Sequence, residues 1–190
     1  MKKIKKDILG WFCLIVIFMI IFSLYDDLQK TTTPTPSIIN EGKNAKIPTE
    51  LHPIVQDKTN QLKKRAEKRQ IQIVITDHLR TMKEQNLLYA KGRSASGQVV
   101  THAKAGESFH NYGLAIDFAL KNKDGDIIWN MEYDGNNNGE SDWLEVVDIA
   151  KELGFTWGGD WKQFKDYPHL QMDFGLSIKD LQQGKRPKDK

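Results

Sequence analysis

Residues 8–25 are an apolar run broken only by Gly10 and Ser23, preceded by Lys2, Lys3, Lys5 and Lys6 and closed by Asp26 and Asp27. At ~1.5 Å rise per residue such a segment spans roughly 27 Å, enough for the hydrocarbon core of a bilayer. Ser23-Leu24-Tyr25 is too bulky for a signal-peptidase site, so the sequence predicts an uncleaved transmembrane anchor over 1–29. The lysines keep the N-terminus inside the cell membrane and send the rest of the chain outside, and cleavage would make it a secreted protein. Cys13, the single cysteine, sits in the apolar run as a buried hydrophobe, which excludes a disulfide framework and multi-cysteine zinc modules.

Residues 30–50 carry Pro34, Pro36 and Pro48 among threonines and few large apolar side chains, the composition of a flexible tether. Fully extended, it would reach on the order of 60 Å from the bilayer. A domain over 51–180 and a basic tail over 181–190 complete the expected organisation. Lys plus Arg number 28 against 25 Asp plus Glu, a balance that argues against a nucleic-acid partner.

Within the domain, helix and strand signals alternate. Residues 54–70 read as an exposed helix with Val55, Leu62 and Ala66 as its apolar points, and 71–76 as a β-branched strand. A helix over 81–90 has Met82, Leu87 and Leu88 available for burial. Strands are predicted at 99–100, 113–120, 127–129 and 169–174, and a helix over 142–153 ended by Gly154. This order predicts an α+β fold: a small, largely antiparallel sheet with flanking helices.

Two of these segments carry chemistry. Strand alternation puts Ala115, Asp117 and Ala119 on one face, giving Asp117 room beside small neighbours. His169 shares a face with Gln171 and Asp173 while Leu170 and Met172 point to the core. Taken singly, Asp117 reads first as a structural carboxylate on the polar face of a strand, and His110 alone is ambiguous. Together, two His and one Asp are an N,N,O set of the kind catalytic zinc uses, with a fourth position open for water. Asp166, three residues before His169, could take a proton from that water and deliver it to a leaving amine.

Ser108-x-His110-x-x-Gly113-x-Ala115-x-Asp117 with Asp166-x-x-His169 downstream resembles the zinc peptidase family of D-alanyl-D-alanine carboxypeptidases and L-alanyl-D-glutamate endopeptidases, enzymes that cut peptidoglycan stem peptides. The likeness runs from about Ile71 to Phe174, and Asp rather than Glu at 166, with Trp157-Gly158-Gly159-Asp160-Trp161, favours the endopeptidase branch. The resemblance implies a zinc site on the sheet, with His110, Asp117 and His169 as ligands and Asp166 as general base and acid. It also implies that Arg80 steadies the oxyanion or a substrate carboxylate, and that Gln85, Ser108 and Trp161 contact the substrate. Asp77-His78-Leu79 departs from the Ser-Gly-aromatic stretch usual before the arginine, and a surface pair of Arg80 with Glu84 at i,i+4 is the structural alternative. The implied activity is zinc-dependent hydrolysis of the L-Ala-D-Glu bond. A D-alanyl-D-alanine carboxypeptidase and a non-catalytic wall-binding module are the alternatives.

A second metal pattern lies at 134–145. Asp134, Asn136, Asn138, Gly139, Asp142 and Glu145 occupy positions 1, 3, 5, 6, 9 and 12 of a calcium loop that also contains Glu140. A strand rather than a helix precedes it, so an Asn/Gly-rich turn capped by Asp142 is the competing account.

Overall fold

Val55, Leu62 and Ala66 fall on one face of a helix, and all three are completely buried, with Thr59 filling the turn between them. The structure is a computed structural model that describes Met19 and residues 36–42 and 44–188. The anchor expected over 1–29, Met19 apart, and the first part of the expected tether lie outside the described residues. Among the described residues no helix is long and apolar enough to cross a membrane.

In chain order the elements are β1 (Ile38–Asn40), α1 (Pro53–Lys68), β2 (Gln72–Asp77), α2 (Met82–Ala90), a 3-10 turn (Phe109–Tyr112), β3 (Ala115–Lys121) and β4 (Ile127–Ile128). They continue with α3 (Asp142–Glu152), β5 (Thr156–Trp157), a second 3-10 turn (Gly158–Asp160), β6 (His169–Gln171), α4 (Ile178–Gln182) and β7 (Lys185–Pro187). The main sheet runs β2-β3-β6-β5, with β4 also paired to β3, and every one of these pairings is antiparallel. This is the expected α+β architecture. The apolar faces of α1 and α3 join the inner face of the sheet in one core, in which the Phe118 and Trp143 rings stand 4.6 Å apart.

Local chemistry explains the element ends. Pro53 at the first turn fixes the entry to α1, where His52 Nδ1 accepts from Ile54 N. Thr81 and Glu84 form a reciprocal capping box on α2, and Ser141 caps α3 through Leu144 N. The 3-10 turn closes on Gly113 in the left-handed region, φ 66°. A Cβ at Gly113 would stand 2.5 Å from the Glu50 carbonyl, because the chain entering α1 lies directly over it.

Four expectations change. Residues 38–40, expected in the tether, pair as β1 with β7, which lies in the expected basic tail. Arg186 is the physical reason: it is buried, stacks 5.0 Å over the Tyr112 ring and donates to the Leu181 carbonyl. Val99 and Val100 form no strand and stay exposed. The last expected strand ends at Gln171, and Phe174 takes a positive φ of 52°. In α2 the buried residue is Gln85, while Leu87 points to solvent.

Gly113→Ala is expected to destabilise the domain by about 1–3 kcal/mol, since it imposes both a left-handed Ala and a backbone clash. Denaturant unfolding compared with the unsubstituted chain checks this.

Candidate active site

Register assembles the site. Asp77 pairs with Asp117 across β2 and β3, and Asp117 with His169 across β3 and β6, so three polar side chains stand in a row across the sheet. An irregularity between Ile75 and Asp77 allows Asp77 to join this row, since an extra residue in one strand re-aims the side chain after it. His110 arrives from the 3-10 turn that leads into β3, with Ser108 Oγ capping that turn.

His110 Nε2, His169 Nδ1 and one oxygen of Asp117 converge. The two nitrogens are 3.1 Å apart, and Asp117 Oδ1 lies 3.2 Å from His110 Nε2 and 3.4 Å from His169 Nδ1. His110 Nδ1 faces the His78 carbonyl, which can only accept, so the proton sits on Nδ1. Likewise His169 Nε2 meets Gln171 Oε1 at 3.0 Å and donates to it. In the neutral rings the two inner nitrogens are therefore lone-pair acceptors facing each other, an arrangement a shared cation relieves. Ligands ~2.0–2.1 Å from a tetrahedral centre are separated by about 3.3 Å, which matches the three edges. The N,N,O donors and their spacing suit a metal ion.

Electrostatics agree. Burial alone would raise the Asp117 pKa, but hydrogen bonds from His110 and His169 and their proximity hold it well below the usual carboxylate range. Burial works against a charged His169, yet Asp117 overrides it and raises the His169 pKa above 6.5. For Asp166, burial dominates and pushes its carboxyl above the ordinary value, the direction that suits a proton acceptor working near neutrality. Asp166 lines the same cleft of about 630 Å³ as His110, Asp117, His169, Arg80 and Trp161.

The remaining expected residues divide. Ser108 lines the cleft, and Trp161 leans over the His169 ring with centroids 5.1 Å apart. Trp157 instead joins the core, donating Nε1 to the Tyr167 carbonyl. Arg80 does not pair with Glu84, whose carboxylate is taken by the Thr81 cap. Its Nε and Nη2 donate to Asp77 Oδ2 at 3.1 and 2.6 Å, and Nη2 lies 3.5 Å from Asp117 Oδ2. Gln85 is fully buried behind Arg80, accepting from Nη1 and donating to the Ala103 carbonyl, so it holds the arginine rather than facing the cleft. The loop at 134–145 forms a separate cluster: Asn136, Asn138 and Arg69 all donate to Glu145, and Asp134 accepts from the amides of Asn138 and Gly139.

Sequence reasoning misses three supports. Asp77 reads only as a departure from pattern, although its place at the end of β2 puts it in register with Asp117. Gln171 is legible as a face-mate of His169, but its role in fixing the tautomer needs the 3.0 Å contact. Asn111, fully buried, bonds the Arg80 carbonyl and the Gly106 amide, and nothing in the sequence marks it.

Known proteins can now be set beside this geometry. Residues 101–172 match a family model described as D-alanyl-D-alanine carboxypeptidase. The chain is 61% identical over 133 residues to the peptidoglycan L-alanyl-D-glutamate endopeptidase CwlK of Bacillus subtilis (strain 168), covering 70% of this chain and 80% of that protein. The chain belongs to this peptidase family. A second member, the L-alanyl-D-glutamate peptidase of Listeria phage A118, is 32% identical over 104 residues, covering 55% of this chain and 31% of that protein. Among solved structures, the L,D-carboxypeptidase DacB from Streptococcus pneumonia has a TM-score of 0.50 at 18% identity, covering 77% of this chain and 95% of that one, a likeness of fold alone.

Two outcomes follow from the geometry. Because His169 binds its proton more tightly than a free imidazole, a metal ion must displace that proton. Zinc affinity of the metal-free protein is expected to fall as pH drops through a value above 6.5, with proton release on binding, as calorimetry in buffers of different ionisation enthalpy would register. Gly158→Ala is expected to lower turnover by on the order of 100-fold, because a Cβ there would stand 2.4 Å from the Asp166 carbonyl and 3.1 Å from His169 Cβ. Unaltered kinetics in that variant would contradict the close packing under Asp166.

Proposed function

We propose that this chain is a zinc peptidase that hydrolyses the L-alanyl-D-glutamate bond of peptidoglycan stem peptides. The observation that carries the proposal is the opening of the His110, Asp117 and His169 donors into one cleft with a half-buried carboxylate, Asp166, beside them. The name of the Bacillus relative supports the choice of bond. Zinc bound by this triad would supply Lewis acidity, acidifying a water molecule and polarising the scissile carbonyl.

The protein's own groups do the rest. Asp166 accepts the proton of the attacking water and returns it to the leaving amine, a transfer helped by its raised pKa. Arg80, held by Asp77 and Gln85, presents a fixed positive charge toward the cleft, where it steadies the developing oxyanion or the carboxylate of D-glutamate. Trp161 and Ser108 line the approach and orient the peptide. The lysine-flanked apolar N-terminus supports placing the domain outside the cell membrane, tethered within reach of the wall.

The test is mass spectrometry of purified peptidoglycan after incubation with the zinc-loaded protein. New fragments beginning at D-glutamate are expected. Loss of terminal D-alanine alone would move the chain to the carboxypeptidase branch, and zinc binding without cleavage would make it a wall-binding module. Asp166→Ala is expected to keep zinc and lose about 10²–10⁴ in kcat, whereas His110→Ala, Asp117→Ala and His169→Ala lose zinc and activity together.

A further inference from the structure

The loop between β4 and α3 has a chemistry that the peptidase site does not use. Together with the first turn of α3 it brings the carboxylates of Asp134, Asp142 and Glu145 near the carboxamides of Asn136 and Asn138. The two carboxamides converge on one atom: Asn136 Nδ2 and Asn138 Nδ2 both lie 2.9 Å from Glu145 Oε2. Positions 3, 5 and 12 of the loop thus meet at one point, while Asn136 Oδ1 accepts from Asn138 N and Asn138 Oδ1 from Glu140 N, each carboxamide oxygen keeping a second lone pair for a cation. Asp134, position 1, is fixed on the same loop by the amides of Asn138 and Gly139, and Gly139 at position 6 has the positive φ, 87°, that the sharp turn requires.

Asp142, position 9, supplies an independent observation. It is only 3% exposed, and one of its oxygens, Oδ2, accepts from Gly135 N across the loop. The other, Oδ1, is buried with no hydrogen-bond partner. A buried carboxylate oxygen left unsatisfied is costly, and a cation is the partner that removes the cost.

We propose that residues 134–145 bind one calcium ion, coordinated by Asp134, Asn136, Asn138, the Glu140 carbonyl, Asp142 and Glu145. All of these are oxygen donors, the hard ligands calcium takes, and the flexible geometry of a short loop suits calcium better than magnesium. The ion fastens the loop to the first turn of α3, which supplies Asp142 and Glu145. Arg69, 3.1 Å from Glu145 Oε1, ties the same carboxylate to the end of α1, so the site links the two helices that cover the sheet. Its role is structural, and it stands whether or not the peptidase assignment does.

The experiment uses the full chain in detergent, stripped of metal and reloaded with one equivalent of zinc. Calcium is then titrated by calorimetry, and terbium luminescence excited through tryptophan, Trp143 lying within the loop, is followed as calcium displaces the terbium. One calcium per chain is expected, with a Kd of roughly 10⁻⁵ to 10⁻³ M and far weaker magnesium binding. Asp142→Asn and Glu145→Gln are each expected to weaken calcium at least about tenfold without altering zinc content. Should either variant fail to fold, the unsubstituted chain decides: its melting temperature rises with millimolar calcium and not with equal magnesium. Absence of saturable binding up to about 10 mM calcium, or unchanged affinity in both folded variants, would overturn the proposal. Neither readout depends on hydrolysis.

Discussion

The antiparallel pairing of β3 with β6 is the constraint on which the site depends. It sets Asp117 directly opposite His169, and the side-chain period of two leaves no latitude. A slip of one residue would carry His169 to the other face and bring Leu170 or Pro168 opposite Asp117. The core opposes that slip, because Ile116, Phe118 and Leu170 are all fully buried on the inner side of the same strands. Apolar packing on one face thus fixes polar geometry on the other.

Around that pair the polar groups are held from behind. The His78 carbonyl fixes the His110 ring, Gln171 fixes His169, and Asp77 with Gln85 fixes Arg80. Each support satisfies a group whose burial would otherwise be unfavourable, and each aims the remaining atom into the cleft. Rigidity of this kind suits metal chemistry, in which donors already at the required spacing need little rearrangement on binding. The close approach of Gly158 to Asp166 and His169 extends the same logic to the backbone.

Much of this is legible in the sequence where a residue's neighbours along the chain decide its state. The helical spacing of Val55, Leu62 and Ala66, the β-branched run at 71–76 and the alternation around Asp117 all correspond to observed elements. The expectations that change are those in which a distant partner wins over local signal. Arg80 prefers Asp77 at the end of β2 to Glu84 one turn ahead, because Thr81 has already engaged Glu84 as a cap. β1 and β7 carry no strand signature, and they pair because Arg186 docks on Tyr112. Gln85 is buried by the arginine it serves.

By itself the sequence determined which chemical groups are present and which local elements carry them: two histidines and two aspartates on or beside strands, an arginine at a strand end, and an oxygen-rich loop before a helix. Spacing along the chain also carried the likeness to the family, since its motif is read residue by residue. Only the tertiary structure decided that His110 Nε2, His169 Nδ1 and Asp117 Oδ1 meet at 3.1–3.4 Å. It also decided that Asp166 is half-buried in the same cleft and that one oxygen of Asp142 is stranded. The physical reason is that donor geometry and desolvation are properties of a place, built from segments as much as 59 residues apart, and no local pattern encodes them.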